Sequence, residues 1–110
     1  MAGIYLFRKG DRMALYIALT NWTDQGVKSL KDSPNRAEAF KKMATEMGCT
    51  VHGLFFTMGR YDIAARIEAP DDETISALAL KLGSLGNVRT ETMRAYTEAE
   101  FAQIMKKVTG

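Results

Sequence analysis

One cysteine, one histidine, one tryptophan and two prolines are all that the 110 residues contain of those types, and each scarcity closes off a set of functions. A lone Cys49 can form no internal disulfide, so nothing ties the chain to an oxidising compartment. Cys49 also lacks the CxxC spacing and the histidine cluster that a zinc or iron centre needs, so no metal site is expected. Long apolar runs are missing too. Ile4-Tyr5-Leu6-Phe7 is too short for a signal-peptide core and has no basic residue before it, and no stretch approaches the ~20 residues required to span a bilayer. No membrane association is expected, and the cytoplasm is the default setting. Net charge is nearly absent as well. The formal +2 comes entirely from Arg8, Lys9 and Arg12 against Asp11, which leaves residues 13–110 neutral. A basic face for phosphates is therefore not encoded there, and no nucleic-acid partner is expected.

What is present is a doubled pattern of strand, helix and strand around a central turn, on a length that suits one domain. Residues 1–12 read as an N-terminal extension and residues 13–110 as the domain, because the first convincing strand, 14–20, begins just after Met13. A long connection, 21–32, holds room for a short helix that Thr23 can cap, with Val27 and Leu30 on one apolar side. Ser33-Pro34 reads as N-cap and first position of a helix carrying Ala37, Phe40, Met43, Ala44 and Met47, with Gly48 as its stop. The second strand, from Thr50 to Met58, does not alternate between polar and apolar, so both of its faces want cover. In the third, Tyr61, Ile63, Ala65 and Ile67 share the core face, while Asp62, Ala64, Arg66 and Glu68 share the other. Pro70-Asp71-Asp72 opens a second helix with Ile75, Leu78, Ala79 and Leu82, and Gly83 should close it. A fourth strand, 88–96, leads into Thr97-Glu98-Ala99-Glu100, a capping box followed by Phe101, Ile104, Met105 and Val108 at helical spacing.

The order β-α-β-β-α-β predicts an α+β fold, a ferredoxin-like sandwich with a four-stranded antiparallel sheet, both main helices on one face and an extra C-terminal helix. The other face is left bare. Tyr16, one side of the Leu54-Phe55-Phe56 run and Met93 are expected on it, a large apolar surface for so small a chain. A homo-oligomer joined through the open sheet face or the sheet edges follows as the expected assembly.

Four segments, 16–26, 57–62, 68–73 and 83–92, resemble the GYD domain family of the dimeric α/β-barrel superfamily in their order and spacing. Arg60 interrupts the letters of the family name, so the central turn reads Gly59-Arg60-Tyr61-Asp62. The resemblance covers about residues 13–96 and implies a ferredoxin-like, oligomerising subunit. It implies no established activity and no cofactor. Haem occurs in related barrels, and His52 is the one side chain that could ligate it, with nothing else in the chain to support that use.

Two classes of function are consistent with these residues. The first is a small-molecule site in a cleft between the sheet and a partner subunit, lined by Tyr16, His52, Phe56, Asp62 and Arg66 and closed by the loop at Trp22; a cofactor-light enzyme is a variant of it. The second is an assembly or interaction module without chemistry, whose apolar face is consumed by subunit contacts. Alternating along its strand, His52 would share the side of Leu54 and Phe56, and proton transfer would need Asp62 or Glu91 within reach. Asp62 and Arg66 are spaced for an ion pair or a ligand anchor. Gly83-x-x-Gly86 is not a phosphate loop, since it follows a helix and enters a strand, the reverse of what a phosphate cradle requires.

Overall fold

A computed structural model describes residues 13–110; the extension expected at residues 1–12 lies outside them. Strand β1 (Ala14–Trp22) leads into a short helix α1 (Asp24–Lys28), a 3-10 turn (Leu30–Asp32) and helix α2 (Ser33–Glu46). Strands β2 (Thr50–Phe56) and β3 (Ile63–Ala69), helix α3 (Asp72–Ser84), strand β4 (Val88–Ala95) and helix α4 (Glu98–Thr109) complete the chain. The strands form one antiparallel sheet in the order β2-β3-β1-β4. This is the ferredoxin-like arrangement, with α4 added after it.

Local capping chemistry sets several boundaries. The Thr23 hydroxyl accepts from Gly26 N–H at 3.1 Å and starts α1. Asp71 starts α3 by accepting from the Thr74 amide and hydroxyl, which hold its carboxyl below the usual carboxylate range. Thr97 and Glu100 complete both halves of the capping box on α4. Other expectations fail. Helix α2 is entered from the 3-10 turn with Asp32 as N-cap, and no side chain caps it. Helix α3 runs through Gly83, and the left-handed residue that ends the turn is Gly86, at φ +87°. Val27 and Leu30 are exposed, so the apolar side of the long connection does not face the core.

The core lies between one sheet face and helices α2 and α3. Tyr16 and Ala18 of β1, Ala65, Ile67 and Ala69 of β3, Ala44 of α2, and Ile75 and Leu78 of α3 are buried in it. Tyr16 therefore does not belong to the bare face. It pairs with Ile67, shares that residue's face, is 3% exposed, and donates its hydroxyl to Asp72 Oδ1 at 2.5 Å. Burial first, and then the neighbouring carboxylate, push the phenol up to about 12.

Strand β2 contains a bulge. Its pairing steps from Val51↔Ile67 to Gly53↔Arg66, so one extra residue is accommodated opposite β3. Val51, Leu54 and Phe56 consequently share the phase of Ile67, Ala65 and Ile63, whereas Phe55 opposes Ala64 on the open face. His52 also turns to the open face, where it meets Glu68. Strict alternation places His52 with Leu54 and Phe56, and the extra residue is the reason that placement fails.

Candidate functional site

Several helix-facing positions of the sheet are small. Ala18 and Thr20 on β1, Ala65 on β3 and Thr90 on β4 lie beneath Ala37 of α2 and Ala79 of α3, and they leave a cavity of about 330 Å³ between sheet and helices. The cavity opens to solvent past Phe56 and Leu85, which are 51% and 55% exposed. Trp22 and Phe56 form one end, with stacked rings 6.3 Å apart and 20° from parallel.

Polar groups around the cavity are few and mostly engaged. The Thr20 and Thr90 hydroxyls pair at 3.2 Å. Arg36 donates to the Ser29 carbonyl and hydroxyl, the Gly26 carbonyl and the Ser33 hydroxyl, at 2.9–3.2 Å. These bonds tie α2 to α1, which is in turn stitched to the turn between α3 and β4. Thr23 donates from its amide to Asn87 O and from its hydroxyl to Gly86 O, and Gln25 Nε2 donates to Leu85 O and Asn87 Oδ1. Gly26 approaches so closely that a Cβ there would stand 2.1 Å from Asn87 O.

Asp62 braces the same end of the sheet. Its Oδ2 accepts from Trp22 N–H at 3.0 Å, its own N–H donates to Thr20 O at 2.9 Å, and its carbonyl accepts from Thr57 N–H at 2.8 Å. Gly59, at φ +110°, lets the chain make the turn that delivers it. Tyr61, expected on the core face of the third strand, precedes β3 and donates its hydroxyl to Glu91 on β4, and that carboxylate raises the phenol's pKa.

The open face carries a different set of groups. His52 Nε2 lies 2.6 Å from Glu68 Oε1, and both border a shallow depression shared with Leu15, Arg66, Thr97 and Glu100. No ion pair joins Asp62 to Arg66 among the described residues. The six sequence candidates thus fall into separate places. Trp22 and Phe56 line the cavity, with Asp62 holding the Trp22 backbone; Tyr16 sits against Asp72; His52 and Arg66 occupy the opposite face. They do not converge on one cleft. The cavity itself escapes a reading of the sequence, although the run of alanines at inward positions, Ala18 and Ala65 above all, is a usable signal. Among the described residues no group of three His, Cys, Asp or Glu is placed to hold a metal ion, and no helix is long and apolar enough to cross a membrane.

Three of the four segments that carry the resemblance, 16–26, 57–62 and 83–92, meet at the Trp22 end of this sheet through the Asp62 and Thr23 contacts. A family profile described as "GYD domain" matches residues 16–105. The chain belongs to the GYD domain family. A protein of Thermus thermophilus, named "Glutamine synthetase and cystathionine beta-lyase binding protein", is 30% identical over 95 residues, which span 86% of this chain and 100% of the relative. In this GYD domain the Gly59-Arg60-Tyr61-Asp62 turn acts as a structural clasp, since Asp62 reaches β1 and Tyr61 reaches β4.

Proposed function

We propose that this GYD domain is a protein-interaction module of the cytoplasm, which associates with itself and docks onto a metabolic enzyme. The observation that carries the reading is the uncovered sheet face. Phe55 is 64% exposed and Met93 44% exposed, beside the half-buried Leu15, Ile17 and Leu19. An apolar surface of this kind, edged by His52, Glu68, Arg66 and Glu91, matches the apolar centre and polar rim of a protein interface. The Thermus relative is named for binding glutamine synthetase and cystathionine beta-lyase, and enzymes of that kind are the partners to try first.

Cys49, the one thiol, lies in the core and not on this face; it is 2% exposed and its pKa is raised by burial and by Asp71, which is the opposite of activation. A ligand cleft against a partner subunit would also draw on Tyr16 and Phe56, which belong to the other face of the sheet.

The test uses purified wild type and Phe55→Glu, sized by light scattering and titrated onto immobilised glutamine synthetase and cystathionine beta-lyase from the source organism. Wild type should be larger than one chain and should bind one of the two enzymes. Phe55→Glu should keep its circular dichroism, become smaller, and lose at least about tenfold in affinity, ~1.4 kcal/mol. A monomeric wild type that binds neither enzyme would refute the proposal.

A further inference from the structure

We infer that the cavity between the sheet and helices α2 and α3 is a binding site for a compact, uncharged, largely apolar molecule with one hydrogen-bond acceptor. This site lies on the opposite side of the sheet from the proposed docking surface and does not depend on it. Its volume of about 330 Å³ falls at the lower end of the ~300–1,000 Å³ that ligand pockets span, which selects a compact occupant. The walls are formed by Ala18, Ala65, Phe40, Leu54 and Leu78 and contain no carboxylate. The Trp22 and Phe56 rings at one end offer aromatic faces to a planar group.

Two polar details narrow the ligand further. Arg36 brings the one formal charge of the lining, and its two terminal nitrogens already donate to four neutral oxygens. A carboxylate ligand would have to break that set to be gripped in the usual two-pronged way, so an anion gains little here. The Thr20 and Thr90 hydroxyls face each other at 3.2 Å, and a single donor serves that bond. The second hydroxyl hydrogen has no other acceptor among the described residues, so one carbonyl, ether or hydroxyl oxygen on the ligand can take it. The exposed Phe56 and Leu85 stand at the rim and give an apolar molecule a path inward.

The chain contains one tryptophan, and it is in the cavity wall, so occupancy can be read directly. The probe is N-phenyl-1-naphthylamine, a neutral fluorophore that accepts energy from tryptophan, titrated into the full-length protein. Saturable binding of one probe per chain, with quenching of Trp22, is expected. Ala18→Leu, which fills the floor, should weaken binding at least about tenfold with unchanged far-ultraviolet circular dichroism. Ala37→Leu fills the site from α2 and serves if Ala18→Leu does not fold. The sulfonated analogue 1-anilinonaphthalene-8-sulfonate should bind about tenfold more weakly than the neutral probe. Phe55→Glu should leave probe binding unchanged, even if it abolishes docking to an enzyme. Absence of saturable binding, equal affinity for the sulfonate, or a site lost in Phe55→Glu and kept in Ala37→Leu would each overturn the inference.

Discussion

Replacing Tyr16 by phenylalanine should weaken the protein at neutral pH and cease to weaken it in alkali. The ring is 3% exposed and stays packed in the variant, so the change isolates the hydroxyl and its 2.5 Å bond to Asp72. A hydrogen bond to a charged group contributes about 1.5–3 kcal/mol. Asp72 lies in the exposed first turn of α3 and recovers water when the phenol leaves, which puts the loss near the lower figure. The melting midpoint should fall by several degrees, at ~4–8 °C per kcal/mol for a domain of this size. The folded phenol ionises only at about 12 against an ordinary 10.0. Its pKa is raised, so its contribution is fully present below pH 10 and is lost as pH climbs from 10 towards 12. At ~1.36 kcal/mol per unit the wild type would forfeit up to about 2.7 kcal/mol over that interval, and less to the extent that water at Asp72 screens the pair. The variant's phenyl ring has nothing to ionise. Cys49 and Tyr61 also titrate high, but they do so in both proteins and cancel in the difference. Urea midpoints followed by circular dichroism, under reducing conditions from pH 8 to 11.5, measure it. A stability difference that stays constant across that range would refute the reasoning.

Gly26→Ala sets a Cβ 2.1 Å from Asn87 O and should cost about 1–3 kcal/mol, read as a lowered thermal midpoint; a change near zero would show that α1 can shift away from the α3–β4 turn. Asp62→Ala should cost about 1–3 kcal/mol because the Trp22 amide loses its acceptor, whereas Arg66→Ala should stay within about 0.5 kcal/mol. The double variant should be additive, and a coupling above ~1 kcal/mol would reinstate an ion pair between them. A chain beginning at Met13 should remain soluble and melt within a few degrees of the full-length protein; precipitation would show that residues 1–12 support the domain or its assembly.

Features that depend on a few neighbouring residues are legible in the sequence. The Thr23 cap, the Thr97–Glu100 capping box and the inward side of Ile63, Ala65 and Ile67 on β3 follow from spacing alone and hold, whereas Tyr61 precedes the strand and reaches Glu91 instead. Tyr16 is misplaced by the same reasoning because β1 is apolar in both phases, with Leu15, Ile17 and Leu19 on one side and Tyr16 and Ala18 on the other. Period two cannot choose between such faces. The Asp62–Trp22 contact joins residues 40 apart in the chain and carries no local signal, and the cavity depends on where two helices come to rest.

The bulge in β2 has a consequence for how this strand can change. Pairing with β3 behaves like a reading frame of two, and His52 is the inserted letter. Without it, Val51, Gly53 and Leu54 would still face Ile67, Arg66 and Ala65, now in an unbroken register. Every other side chain of β2 would keep its side of the sheet. The strand can therefore lose this residue, and with it the link to Glu68, while the buried half of the protein stays in phase; the histidine is an addition to the open face that the fold does not require.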